Sequence, residues 1–134
     1  MKTLKRKDIL YPELSYQIIG ILFEVYNQLG PGYQERYYQK AISSIFKKVG
    51  FSFQEQVPIF LNFNGKRVAK SFIDFIIEKK IILEVKKGER FLKGNIDQVY
   101  SYLKATDLKL GILVNFTKLG IQFKRVVNLN NSKS

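Results

Sequence analysis

The stretch SFIDFIIEKKIILEVKKGERF, residues 71–91, constrains the fold more than any other part of the chain. Two runs of β-branched and aromatic residues flank Glu78-Lys79-Lys80, the pattern of an antiparallel hairpin. An acid sits inside each strand, Asp74 and Glu84, and Lys86 follows the second acid by two residues. Charge inside a sheet is costly unless it is paired or holds a cation. Side-chain alternation puts Glu84 and Lys86 on one face together with Ile82. A three-residue turn pairs Ile77 with Ile81 and sets Asp74 opposite Glu84, whereas a two-residue turn sends Asp74 to the other face. In the first register the two β-carbons lie about 5 Å apart, and the like charges repel unless a cation lies between them.

Two carboxylates with the strand carbonyl of Val85 form an oxygen cage suited to a hard divalent ion, magnesium first and manganese as the alternative. Such an ion activates water and offsets phosphate charge. Lys86, on the same face, is placed to steady the attacking water or the transition state. Asp, Glu and Lys in this layout are chemistry for cutting a phosphodiester. The same spacing is also met by a surface Glu84–Lys86 ion pair and by an edge-strand charge at Asp74 that guards against aggregation. Spacing alone leaves these readings open.

Other chemistries are excluded by composition. The 134 residues contain no Cys and no His, so thiol nucleophiles, imidazole bases and ordinary zinc sites are absent. Lys and Arg number 23 against 11 acids, a formal +12, which points to nucleic acid or an anionic surface as partner. A lysine-rich surface without a polyanionic partner gives the same balance. Aromatic residues make up 14%, enough for a packed core in one domain. The basic opening MKTLKRKDILYPEL has no apolar core before a cleavage site, and no run approaches a membrane span, so a cytoplasmic protein without membrane contact is expected.

Residues 1–12 are expected to be a basic lead-in closed by Pro12, residues 13–128 a single domain, and residues 129–134 a polar tail. Ile18, Leu22, Val25, Tyr26 and Leu29 recur at helical spacing before the Gly-Pro-Gly stop at 30–32. A second helix over 33–49 presents Tyr38, Ala41, Ile42, Ile45, Phe46 and Val49. The pattern then alternates across Val57, Ile59, Leu61 and Phe63, and Asn64-Gly65 predicts a hairpin into residues 66–77. Residues 81–87 make the third strand of a meander. A helix follows with Ile96, Val99, Tyr100 and Leu103 on one face, then the buried strand LGILVNF and a last strand IQFKRVV. Glu24 reads as a solvated charge, Tyr37 and Tyr38 as packing, and Asn115-Phe116 as a strand end with Phe116 in the core.

GYQERYY, residues 32–38, reads G-x-x-E-x-x-Y and resembles the signature of the small GxxExxY proteins of the PD-(D/E)XK nuclease superfamily. The acidic hairpin, IDQVYSYLK, LGILVNF and FKRVV are similar to that family's further blocks, in the same order, over roughly residues 15–128. The resemblance implies an α/β, restriction-endonuclease-like core: N-terminal helices, a three-strand antiparallel meander, a helix and further strands. It implies a metal-dependent nuclease acting on DNA in preference to RNA. Asp74 and Glu84 match the metal-binding acids and Lys86 the motif lysine. Glu35 matches an extra acid near the metal, and Gln98 the glutamine of the following helix, with Tyr102 one turn on. Ile73 stands where the superfamily's name has Pro, and Asn95 where the family often has His, which removes a proton-transfer role there. In a nuclease, Lys87, Arg90 and Lys93 meet phosphates; otherwise they are a solvated loop. A non-catalytic nucleic-acid-binding module on the same fold, or a subunit whose basic surface meets an acidic protein, are the competing readings. A homodimer is open to such a nuclease, but no interface can be read.

Overall fold

The computed structural model describes residues 10–129. The elements are α1 (Pro12–Leu29), α2 (Glu35–Val49), β1 (Phe53–Phe63), β2 (Lys66–Ile77), β3 (Ile81–Lys87), α3 (Lys93–Thr106), β4 (Leu110–Thr117) and β5 (Gly120–Val127). They have the expected order and make an α/β, restriction-endonuclease-like core. Pro12 opens α1, since proline at the first turn gives up no helical hydrogen bond. The expected lead-in and tail otherwise lie almost wholly outside the described residues, though Asn128 is buried, its N–H donated to the Lys109 carbonyl at 2.9 Å.

Five strands form one mixed sheet in the order β1-β2-β3-β4-β5. All neighbours are antiparallel except β3 and β4, which run parallel because α3 crosses over between them. Helices α1 and α2 cover one face, where Ile18, Leu22, Ile42 and Phe46 pack against Phe75, Leu83, Val85 and Ile112. Helix α3 covers the other, its Val99 and Leu103 packed with Ile73, Ile82 and Leu113. Gly111 makes that approach close: a β-carbon there would stand 2.5 Å from Val99 Cγ1. Val49, counted by its spacing on the apolar face of α2, is 52% exposed at the helix end.

The β1–β2 hairpin turns at Asn64-Gly65, both in left-handed backbone, as a type I′ turn requires. At the second hairpin the Ile77 carbonyl accepts the Lys80 N–H at 2.9 Å across left-handed Glu78 and Lys79. The ladder still pairs Ile77 with Ile81 and Ile76 with Ile82, so the register is the three-residue one.

Near residue 56 the β1–β2 ribbon turns over. Phe75 and Ile77 belong to the α1–α2 core, and Ile73 to the α3 core, although these odd residues would share one face of a regular strand. On β1, Phe53 packs with the first core and Val57 and Ile59 with the second. Between them stands Gln56, left-handed with φ 49°, opposite Asp74 in the register. The expected alternation across Val57, Ile59, Leu61 and Phe63 is therefore partly buried in its first half only. Leu61 and Phe63 are 62% and 66% exposed. Among the described residues no helix is long and apolar enough to cross a membrane.

Candidate active site

The acids meet where β2 and β3 separate. Their ladder ends at Phe75–Leu83, and beyond it side chains take over from backbone. Glu84 Oε2 accepts the Asp74 N–H at 2.6 Å, and Asp74 Oδ2 accepts the Val85 N–H at 2.8 Å. Each carboxylate thus binds the other strand's backbone, a reciprocal clasp across the gap. Asp74 sits at the residue where β2 changes face, so it aims along the sheet and not squarely to one side. Gln56 Nε2 reaches its other oxygen at 3.4 Å. Lys86 Nζ stands 4.0 Å from Glu84 Oε1.

Burial sets the electrostatics. It pushes the Glu84 carboxyl up to about 8, the Asp74 charge adding to the effect while the Asp74 N–H and Lys86 oppose it. The Asp74 carboxyl is raised as well, again first by burial, with the Val85 N–H and Lys86 holding it back. Glu35 raises both from the start of α2. Repulsion between opposed acids is therefore real but ranks second to desolvation.

Lys86 opens into a cleft of about 470 Å³ lined also by Glu35, Lys87, Arg90, Asn95 and Asn115. Glu35 is carried there by the G-x-x-E-x-x-Y segment. Tyr38 is fully buried, donates its hydroxyl to the Gly30 carbonyl at 2.7 Å and stacks on Phe116 at 4.1 Å, which anchors the first turn of α2. Tyr37 lies outside at 44% exposure. Glu35 lines the cleft, yet among the described residues no three acids converge as a metal-holding group. Lys93 is not part of the cleft lining; it pairs with Asp97 on the outside of α3 at 3.0 Å.

Gln98 lies on α3 one turn from Asn95, which lines the cleft, and one turn from Tyr102. Tyr102 meets Ser71 Oγ at 2.6 Å, and its hydroxyl is raised by burial and by the charges of Glu84 and Asp74. Asn95 accepts the Leu92 N–H at 3.3 Å and so caps α3 where the family often has His. Sequence reasoning gave no site role to Asn115. It pairs with Lys86 in the parallel register, is 1% exposed, and donates Nδ2 to the Gly88 carbonyl at 3.3 Å and to Gln122 at 3.4 Å. An amide inside the otherwise apolar LGILVNF was the signal.

The donor set suits a hard cation. Besides the two carboxylates, Gln98 Oε1 and Asn115 Oδ1 are buried without a hydrogen-bond partner. Two buried amide oxygens, on α3 and β4, are thus left unpaired, and buried acceptors left unpaired are costly. A cation with oxygen preference would give such oxygens a partner.

The crystal structure of SSO0001 is similar to this chain at 22% identity with a TM-score of 0.58, over 72% of this chain and 52% of that one. The chain thus spans about half the length of that protein, and the likeness concerns the fold. No curated protein matches. Residues 12–126, which include every residue of the site, match the family model of the PD-(D/E)XK nuclease superfamily, and the chain belongs to that superfamily.

Proposed function

We propose that the protein is a cytoplasmic, metal-dependent nuclease of the GxxExxY group, hydrolysing phosphodiester bonds in DNA in preference to RNA. One observation carries the reading: the clasped Asp74–Glu84 pair with Lys86 beside it, Lys86 itself lining a cleft with Lys87 and Arg90. Membership of a nuclease superfamily supports it, and the +12 charge supports a polyanionic substrate.

Asp74 and Glu84, with the Val85 carbonyl, would hold magnesium or manganese, and Glu35, which lines the cleft beside Lys86, would support the ion through water. When bound, that ion supplies Lewis acidity and offsets phosphate charge. Lys86 orients the attacking water and stabilises the charge that develops on the phosphate oxygens. Lys87 and Arg90 grip flanking phosphates in the loop after β3. Gln98, on the overlying helix, positions Lys86 or a ligand. Lys93, tied to Asp97, contributes only to the general field.

Incubating the protein with labelled duplex DNA, single-stranded DNA and RNA, in magnesium or manganese and in chelator, tests the reading. Cutting of DNA that needs metal is the expected result. A metal-loaded protein that binds these substrates and cuts none overturns it in favour of the non-catalytic binding module.

A further inference from the structure

Beyond Gln56 and Asp74 the β1–β2 ribbon leaves the sheet. β2 pairs with β3 only from Phe75 to Ile77, so residues 57–73 form a two-stranded arm. Its near end lies under α3 through Val57, Ile59 and Ile73, but residues 61–70 are exposed throughout. One face of the arm carries cations laid on aromatic rings. Phe60 pairs with Lys70 and Asn62 with Arg67, and a bulge beside Leu61 keeps Arg67 on the face of Lys70. The Arg67 guanidinium lies 3.6 Å from the Phe60 ring centre, and the Lys70 ammonium 5.6 Å from Phe60 and 5.2 Å from Phe72.

Three features define what this face can bind. Residues 57–73 contain Lys66, Arg67 and Lys70 and no acid, so the arm is purely cationic. Arg67 covers one face of the Phe60 ring while Phe72 stays 45% exposed, so charges lead this face more than the open rings that single-strand binding uses. The rings instead hold the charged groups in place, which lowers the entropy lost when they grip an anion. Arg67 and Lys70 stand two ladder steps apart, roughly 7 Å along the ribbon. The arm is also rooted at the acids: its base is Asp74 itself, which shares a second cleft with Arg36 and Lys40 of α2. That cleft, with Arg36 and Lys40 beside Glu55 and Asp74, joins the base of the arm to the site.

We propose that the Arg67–Lys70 face of the arm lies along the phosphate backbone of duplex DNA and presents it to the Asp74–Glu84–Lys86 site. The choice of ligand rests on the nuclease reading. The test measures binding of labelled duplex and single-stranded DNA by fluorescence anisotropy in chelator, where nothing is cut. Wild type is compared with Arg67→Ala/Lys70→Ala and with Lys109→Ala/Lys124→Ala, an equal charge loss beside β5 at the opposite edge of the sheet. Losing two phosphate contacts should lower the slope of log affinity against log salt by about 2 and weaken duplex binding roughly a hundredfold at about 0.1 M salt. The β5-edge variant should change the slope by less than 1. An arm variant that binds duplex with the wild-type affinity and slope overturns the arm proposal and leaves the nuclease reading standing. Equal or larger losses on single strands than on duplex overturn the choice of duplex. A wild-type dimer that the arm substitutions dissociate, with DNA binding unchanged, makes the face an interface between copies and overturns the proposal. Wild type that binds no DNA at all sinks the nuclease reading itself.

Discussion

Glu84 is 2% exposed, and its carboxyl stays protonated up to about pH 8. The folded state then holds a proton that the unfolded chain releases near 4.5. A pKa raised by folding gives a stabilisation that is complete below the unfolded value and lost as pH rises through the folded one. In chelator, unfolding by urea should therefore show stability falling between about pH 4.5 and 8, and Glu84→Gln should flatten that fall. A wild-type profile level across this range would contradict the burial argument. The chain offered Asp74 opposite Glu84 only for a three-residue turn, and the bonds from each carboxylate to the other strand's backbone were not readable from it. The face change at Asp74 was not readable either, because it depends on left-handed backbone at Gln56, a residue type with no strong preference for it. Asn115 was visible only as an odd polar residue in an apolar strand, and its neighbour Lys86 is known only from the parallel pairing of β3 with β4.

At the scale of elements, two contacts place the site. Helix α3 lies close enough to β4 that Gly111 has no room for a side chain, with Val99 Cγ1 at 2.5 Å from where a β-carbon would stand. Gly111→Ala should destabilise the protein by about 1–3 kcal/mol, read by chemical denaturation. It should weaken cleavage as well, because α3 carries Gln98 over the site. The β2–β3 turn behaves oppositely. Lys79 is exposed and left-handed at φ 56°, a conformation costing roughly 1–2 kcal/mol in a residue with a β-carbon. Glycine relieves that strain but adds unfolded-state entropy of about 0.4–1 kcal/mol. Lys79→Gly should therefore stabilise by about 0.5 kcal/mol with cleavage unchanged. A loss of stability would mean that the lysine side chain holds the turn. Glu78 is not equivalent, since its carboxylate accepts the Ser52 N–H at 2.6 Å. Helix and strand positions followed from periodicity and from the Gly, Pro and Asn-Gly breaks. The free arm did not, because alternation in β1 looks the same whether a helix covers it or not.

For the whole molecule, the +12 charge gives attraction to nucleic acid without specificity. Log affinity should fall against log salt with a slope of about −4 if some five phosphates are contacted, and Asp74→Asn should bind at least as well as wild type, since it removes negative charge from the site. Salt-independent binding would point to a protein partner. The proposed site takes its carboxylates from two strands and, in this reading, support from Glu35 of α2 and Gln98 of α3, so it would exist only when both helical layers close on the sheet. A cation that binds this folded arrangement alone must stabilise it. The most direct measurement is thermal unfolding of wild type, Glu84→Ala and Lys86→Ala with and without magnesium, with cleavage followed in the same samples. At about 100 times its dissociation constant magnesium should add roughly 2.7 kcal/mol to wild type. Glu84→Ala, stripped of a ligand and of its half of the clasp, should gain little from metal and cut nothing. Lys86→Ala should keep the gain and lose the reaction. Wild type whose unfolding ignores magnesium and manganese, and which leaves DNA and RNA intact in their presence, would contradict the account.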